Sequence, residues 1–297
     1  MGRGRCRDPV GPAGLGRYRL MATLVCFHAH PDDESIATGG TMTLAADAGH
    51  RVVLVVATRG EMGEPQPGVL AEGEELWERR VVETHAAAEL LGVDRVEFLG
   101  YRDSGMIGEP SNDDPTCFWQ ADVEEAAQRM AAILRDVDAD VLTIYDSHGG
   151  YGHPDHIQVH RVGRRAAEIA GVDAVFQSTM NRDRILRQMA ENAELFEEEI
   201  EQELEGETAE QMRRRAEAAE RGEFGSPEAA ITHAVDVSSA IDRKRSAMAA
   251  HRSQIGPDSF FFAMPPEVFA AAFGTEWFIA LDATRDEDAP FVTSILG

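Results

Sequence analysis

Apolar runs of strand length alternate with stretches of helical period from Ala22 to Phe176, and no other feature constrains the fold so tightly. Ala22 to Phe27 is rich in strand formers and ends at a polar cluster. Glu34 to Ala48 has the period of a helix, closed by Gly49 where helices commonly turn left-handed and stop. Arg51 to Ala57 is a second apolar strand, Glu74 to Leu91 a helix closed by Gly92, and Arg95 to Leu99 a third strand. Asp122 to Val137 predicts a helix, Val141 to Tyr145 a fourth strand, His156 to Ala170 a helix and Ala174 to Phe176 a short strand. Such alternation implies an α/β fold, a mostly parallel sheet with helices on both faces. Ligands of these sheets gather beyond the carboxyl ends of the strands. The polar clusters of this chain follow strands one to four, so they are expected to converge.

Beyond Phe176 the pattern changes. From Asn181 to Arg221 the chain is charged and helical in period, a solvated excursion whose carboxylates lie beside arginines. A strand around Thr232 to Val237, a helix from Ser238 to about Gln254 and a last strand, Trp277 to Leu281, form a C-terminal α+β elaboration. Met1 to Leu20 is Gly-, Arg- and Pro-rich and lacks the apolar stretch of a signal peptide. It is expected to be a disordered extension, with one domain running from 21 to 297.

Two constellations carry chemistry. His28-Ala29-His30-Pro31-Asp32-Asp33-Glu34 places two imidazoles and three carboxylates where the first strand gives way to a helix. Packing does not ask for this, and the like charges repel unless a cation or shared protons compensate them. Imidazole with carboxylate is also the ligand mix of a catalytic zinc, which keeps one position open for water. Gly149-Gly150-Tyr151-Gly152-His153-Pro154-Asp155-His156 follows the fourth strand, with glycines that let the backbone pass close to a ligand.

With these motifs, AHPDDE and a later HPDH, the chain resembles the PIG-L / LmbE-like zinc-dependent N-deacetylases, from about Met21 to Ala170 and more weakly to about Ile255. It is most similar to the actinobacterial branch that handles mycothiol, whose members deacetylate N-acetylglucosaminyl-inositol or cleave mycothiol S-conjugates. The resemblance implies a Rossmann-like sheet, and it makes His30, Asp33 and His156 the metal ligands. Asp32 then falls on the general base that takes a proton from the attacking water. His153 falls on the group that assists the tetrahedral intermediate or the leaving amine, with Asp155 orienting its ring. Tyr151 would reach the developing oxyanion, and a tyrosine merely packed in its loop is an equal expectation. Asp103 resembles a residue that binds substrate hydroxyls, and Arg80 one that contacts the inositol part. Zn2+ is the implied cofactor, and Fe2+ suits the same donors. The family's members often assemble, which leaves a homo-oligomer open.

Other residues are less marked. His28 alternates with His30 along a strand and is expected to support the site or pack in the core. Arg59 and Glu61 could line a rim or form a loop ion pair. His251 and Gln254 echo a C-terminal family segment near the cleft, although a helix-end histidine needs no such role. The stretch from about Asp173 to Ile231 does not follow the family segment that shapes the pocket, so the chemistry carries over more firmly than the substrate.

Composition narrows the partners. Fifty-three acidic residues against 28 basic ones give a formal charge of -25, which repels nucleic acid and anionic membranes. Three cysteines without metal-type spacing suit a reducing, cytoplasmic setting and argue against a closed structural zinc. A dinucleotide-binding module is excluded by the first turn, which offers carboxylates where a pyrophosphate needs glycines. The remaining expectation is a hydrolase acting on a small N-acyl amino-sugar, with an amidase of larger amides such as mycothiol S-conjugates as the alternative.

Overall fold

The computed structural model describes residues 21–191 and 221–297. The expected N-terminal extension and most of the charged excursion lie outside these residues, except for a helix at Arg182–Glu191.

Seven strands form one sheet in the order β3-β2-β1-β4-β5-β7-β6. They are β1 (Thr23–His28), β2 (Arg51–Val56), β3 (Arg95–Phe98), β4 (Val141–Tyr145), β5 (Ala174–Thr179), β6 (His233–Asp236) and β7 (Thr275–Ala280). Strands β1 to β5 pair in parallel, and β7 and β6 add antiparallel at one edge. Alternation along β1 shows why both faces are covered. Val25 and Phe27 join one apolar cluster, whereas Leu24 and Cys26 join another across the sheet. The first face is packed by α4 (Val123–Asp136) and α6 (Pro154–Ala170), the second by α2 (Gly39–Asp47) and α3 (Leu76–Leu91). Order runs outward in opposite directions from β1 and β4, so the crevice between their carboxyl ends is the place for a ligand. No helix of the described residues is long and apolar enough to cross a membrane.

Two expected helices are interrupted. Glu34 to Ala48 is divided at Thr38 into α1 (Asp33–Ala37) and α2, because Thr38 leaves helical geometry. The Thr38 hydroxyl meets His28 Nε2 at 2.8 Å. The new N-terminus is capped from far away in sequence: Glu276 on β7 accepts from the backbone N–H groups of Gly40 and Thr41, each at 2.8 Å. The expected Ser238–Gln254 helix is a short turn followed by α8 (Ile241–Ala250), which ends at His251. At the other helix ends the glycine signals correspond to the geometry, as at Gly92, a left-handed C-cap with φ 77°.

Lys244 on α8 completes the cap, with Nζ 2.6 Å from Glu276 Oε1 and side-chain exposures of 1% and 2%. Removing one member of a buried pair strands the other, at a cost of ~3–5 kcal/mol. Glu276→Ala should therefore lower stability in urea denaturation by about that amount, and also leave two helix N–H groups unpaired. A loss under about 1 kcal/mol would show that water replaces the cap.

Candidate active site

The site begins with an unusual backbone. Asp32 has φ 94°, a left-handed value rare outside glycine. Three contacts hold it there. Its N–H donates to Glu34 Oε2 at 2.9 Å, and Arg80 Nη2 donates to the preceding carbonyl of Pro31 at 2.6 Å. Glu34 is itself clamped by His251, whose Nε2 lies 2.6 Å from Oε1 with both side chains fully buried. The bend fixes the directions of the Asp32 and Asp33 side chains where β1 gives way to α1.

Asp33 turns into a cluster of imidazoles. Its Oδ2 accepts from the His30 N–H at 2.9 Å and lies 3.4 Å from His30 Nδ1 and 3.3 Å from His156 Nε2. These separations suit a cation. A tetrahedral ion with bonds of about 2.0–2.1 Å has ligand–ligand edges of about 3.3–3.4 Å. The remaining nitrogen of His30, Nε2, faces Asp155 Oδ2 at 3.2 Å and Asp103 Oδ1 at 3.4 Å. A carboxylate behind a metal-binding histidine is the usual arrangement for fixing its tautomer.

Among the described residues, the sets whose candidate ligand atoms all lie within 4.8 Å of one another are His30, His153 and His156, and His30, Asp103 and Asp155. Both share His30 with the arrangement around Asp33, but His153 and the two carboxylates are engaged elsewhere. His153 Nδ1 accepts from the Asp155 N–H at 3.1 Å, so neutral His153 carries its proton on Nε2 and has no free lone pair to ligate. Burial, with His30 and His156 nearby, pushes its pKa down to about 2 and keeps it neutral. Asp155 is already engaged by the Ser104 N–H at 2.9 Å and by the Ser104 hydroxyl. Asp103 accepts from the Gly105 N–H at 2.9 Å and the Met62 N–H at 3.2 Å.

The same geometry corrects three expected roles. The Asp155 carboxylate does not orient the His153 ring; it turns to His30 and Ser104, and only the Asp155 backbone N–H reaches His153. Arg80, expected to contact the inositol part, is bonded to the backbone of two loops. It is buried beneath the loops, donating to the Gly60 carbonyl at 2.8 Å and to Pro31, with Asp32 Oδ2 at 3.4 Å. A Cβ on Gly60 would lie 2.2 Å from Arg80 Nη1, so glycine is needed for this contact. Asp103 is buried against His30 and loop N–H groups, which leaves its carboxylate little freedom to bind hydroxyls. His251, read as a helix-end histidine, is instead the partner of Glu34.

The second motif closes over the first. The Gly149–Gly152 turn crosses so near the next helix that a Cβ on Gly149 would be 2.6 Å from that of His156. Asp146 holds the turn by accepting from the Gly150 N–H at 2.7 Å. Tyr151 is 44% exposed and its hydroxyl stands 3.5 Å from His156 Nε2, too far for a firm hydrogen bond but at the edge of the cluster. Sequence reasoning passed over Ser104, Glu34 and Tyr145. Only Glu34 carried a signal, as the last carboxylate of its motif.

Electrostatics divides the two aspartates. For Asp33, burial works to raise the pKa, but His156 and His30 overcome it and hold the carboxyl well below its usual range. For Asp32, burial outweighs the opposing attraction of Arg80, and the pKa rises to about 6. Burial also raises the Tyr145 hydroxyl well above its usual range, and the Asp33 carboxylate adds to this.

Comparison with known proteins places this geometry. Residues 25–167 match the PIG-L family, described as GlcNAc-PI de-N-acetylase. A 1D-myo-inositol 2-acetamido-2-deoxy-alpha-D-glucopyranoside deacetylase of Acidothermus cellulolyticus is 41% identical, covering 89% of this chain and 90% of its own length. A namesake from Nocardiopsis dassonvillei is 43% identical, covering 86% and 92%. Among solved structures, the N,N'-diacetylchitobiose deacetylase from Pyrococcus horikoshii superimposes with a TM-score of 0.51 at 21% identity, covering 86% and 82%. The 4-carboxy-2-hydroxymuconate hydratase from Pseudomonas putida does so at 0.53 and 18%, covering 91% and 100%. Those structural likenesses concern the fold alone.

A raised Asp32 pKa sets the sign of a pH effect. The group is stabler protonated in the fold, so its charge costs nothing below the unfolded value near 4, and the cost is complete above about pH 6. In metal-stripped protein, Asp32→Asn should gain stability over wild type as pH rises from about 4 to 7, by ~1–3 kcal/mol. Chemical denaturation at both pH values measures it. A constant difference would show that Asp32 is not desolvated.

Proposed function

The chain belongs to the PIG-L (GlcNAc-PI de-N-acetylase) family, and on that footing we propose that it removes the acetyl group from N-acetylglucosaminyl-inositol with the help of a divalent cation held by His30, Asp33 and His156. Zinc is the proposed ion, with ferrous iron suited to the same donors. As an N-deacetylase the enzyme is a hydrolase acting on a linear amide bond. The observation that carries the cation site is the position of Asp33 Oδ2, spaced from His30 and His156 like one corner of a tetrahedron. Support for the substrate comes from the relatives' names, joined to their identity over nearly the whole chain.

When bound, the cation polarises the amide carbonyl and acidifies water at the site. The chain's residues supply the remaining steps. Asp32 is adjacent to the proposed ligands without being one of them, and its carboxylate, beside Arg80, can take a proton from the attacking water. Arg80 fixes the loop that aims it. Neutral His153, with its proton on Nε2, can donate a hydrogen bond to charge developing on the carbonyl oxygen. Tyr151 can donate to the same oxygen from the glycine turn. Asp155 and Asp103 act from behind, holding His30 in the tautomer that presents Nδ1. Cys26 and Cys117 are free and buried, which suits the proposed cytoplasmic setting.

The amidase reading keeps one observation in its favour. Met62, Met106, Ile107 and Tyr151 are exposed apolar or aromatic side chains on the loops that follow β2, β3 and β4. Such surface near the mouth suits an acyl group larger than acetyl.

Two measurements test these readings. Primary-amine release from N-acetylglucosaminyl-inositol should vanish on metal stripping and return with zinc, and Asp32→Asn should lose about 10²–10⁴-fold in kcat while retaining the metal. Full turnover of that variant would remove Asp32 from the base role. In a side-by-side assay the acetyl substrate should be cleaved faster than a bulky-acyl analogue. The reverse order would favour the amidase.

A further inference from the structure

His28 and Tyr145 stand at the carboxyl ends of β1 and β4, the two strands that flank the crevice. Their side chains meet beneath the cluster rather than in it. We propose that His28 and Tyr145 are positioning residues: a buried relay in which the tyrosine, anchored by His28, fixes one of the proposed cation ligands, His156, by stacking.

The ring of Tyr145 lies flat on that of His156, with centroids 4.2 Å apart and planes 8° from parallel. That contact sets the plane of the imidazole, and with it the direction of its Nε2 lone pair. Tyr145 Oη stands 2.9 Å from His28 Nδ1, and His28 Nε2 stands 2.8 Å from the Thr38 hydroxyl. A neutral imidazole has one donor and one acceptor. Both ring nitrogens of His28 are thus engaged, one by Tyr145 and the other by Thr38, whose hydroxyl also donates to the Glu34 carbonyl at 3.4 Å. The main chain is locked as well, since His160 Nδ1 lies 2.9 Å from the Tyr145 carbonyl. Both side chains are buried, so water does not compete for these contacts. A polar pair serving only to join β1 and β4 would not need the parallel stack on His156.

This inference rests on the cation-site reading, and its test separates the two. Zinc affinity of the metal-stripped protein is measured against a chromophoric chelator, well below the melting temperature, with folding checked by circular dichroism. Tyr145→Phe keeps the stack and removes the hydroxyl, and should bind zinc about 10–100-fold more weakly than wild type. The visible spectrum of the cobalt-substituted variant should also shift, which a loss of global stability would not produce. His28→Leu should weaken zinc comparably, and His28→Asn, which restores a polar partner for the Tyr145 hydroxyl, should recover part of the loss. The double variant Tyr145→Phe/His28→Leu should be little worse than either single one, as expected of members of one relay. Folded Tyr145→Phe with affinity within about twofold of wild type and an unchanged cobalt spectrum would overturn the relay. If Tyr145→Phe does not fold, the same comparison on His28→Asn against His28→Leu decides. Wild-type protein that binds no divalent ion would instead defeat the cation-site reading itself.

Discussion

Five carboxyl groups, from Asp32, Asp33, Glu34, Asp103 and Asp155, are gathered at the carboxyl end of one sheet with little or no water to screen them. In that setting unpaired negative charges would disrupt the fold, so each carries its own counterweight. Asp32 faces Arg80, Asp33 faces His30 and His156, and Glu34 is clamped by His251. Asp103 takes loop N–H groups and Asp155 takes Ser104. Much of the surrounding architecture follows from this need. It explains why an arginine is buried under two loops and why a histidine from the end of α8 reaches fully inside. The active-site residues are therefore not decorations on a finished core; their partners occupy much of the second layer.

What could be read from the residues is what repeats or clusters locally. Period and glycine stops marked the strands and helix ends as far as Phe176, and the two His-Pro-Asp motifs marked the site. What could not be read is what depends on contacts distant in sequence. The break at Thr38 follows from His28 on one side and Glu276 on the other, neither of which alters the local pattern. Arg80 reads as a residue of a helix face, and only the fold reveals that its guanidinium is spent on Gly60 and Pro31. Asp155 lies two residues from His153, and the family resemblance implied a pairing of its carboxylate with that ring which the turn of the backbone into α6 does not make. The short helices near residues 260–273 carried no signal distinguishable from a loop.

The fold itself decides little about chemistry, since a hydratase shares it as closely as a deacetylase does. Specificity of reaction sits in the side chains of the site. The most discriminating local feature is the left-handed backbone at Asp32, because it separates a proposed ligand from a proposed base that are covalent neighbours. Strain of this kind is tolerated only where surrounding contacts over-determine it, and here the contacts come from α3, from the Glu34 side chain and, through His251, from the C-terminal region.

That last dependence has a bearing on how the chain is made. Glu276 caps a helix that begins at Gly39, and His251 secures Glu34. As the polypeptide leaves the ribosome, the first 250 residues can pair β1 to β5 in succession, but they cannot finish the cluster. One of its carboxylates, that of Glu34, waits for its partner until the closing segment arrives. The order of synthesis thus places assembly of the reactive centre among the final events of maturation. A nascent or prematurely terminated chain would hold the right motifs without the frame that makes them a site.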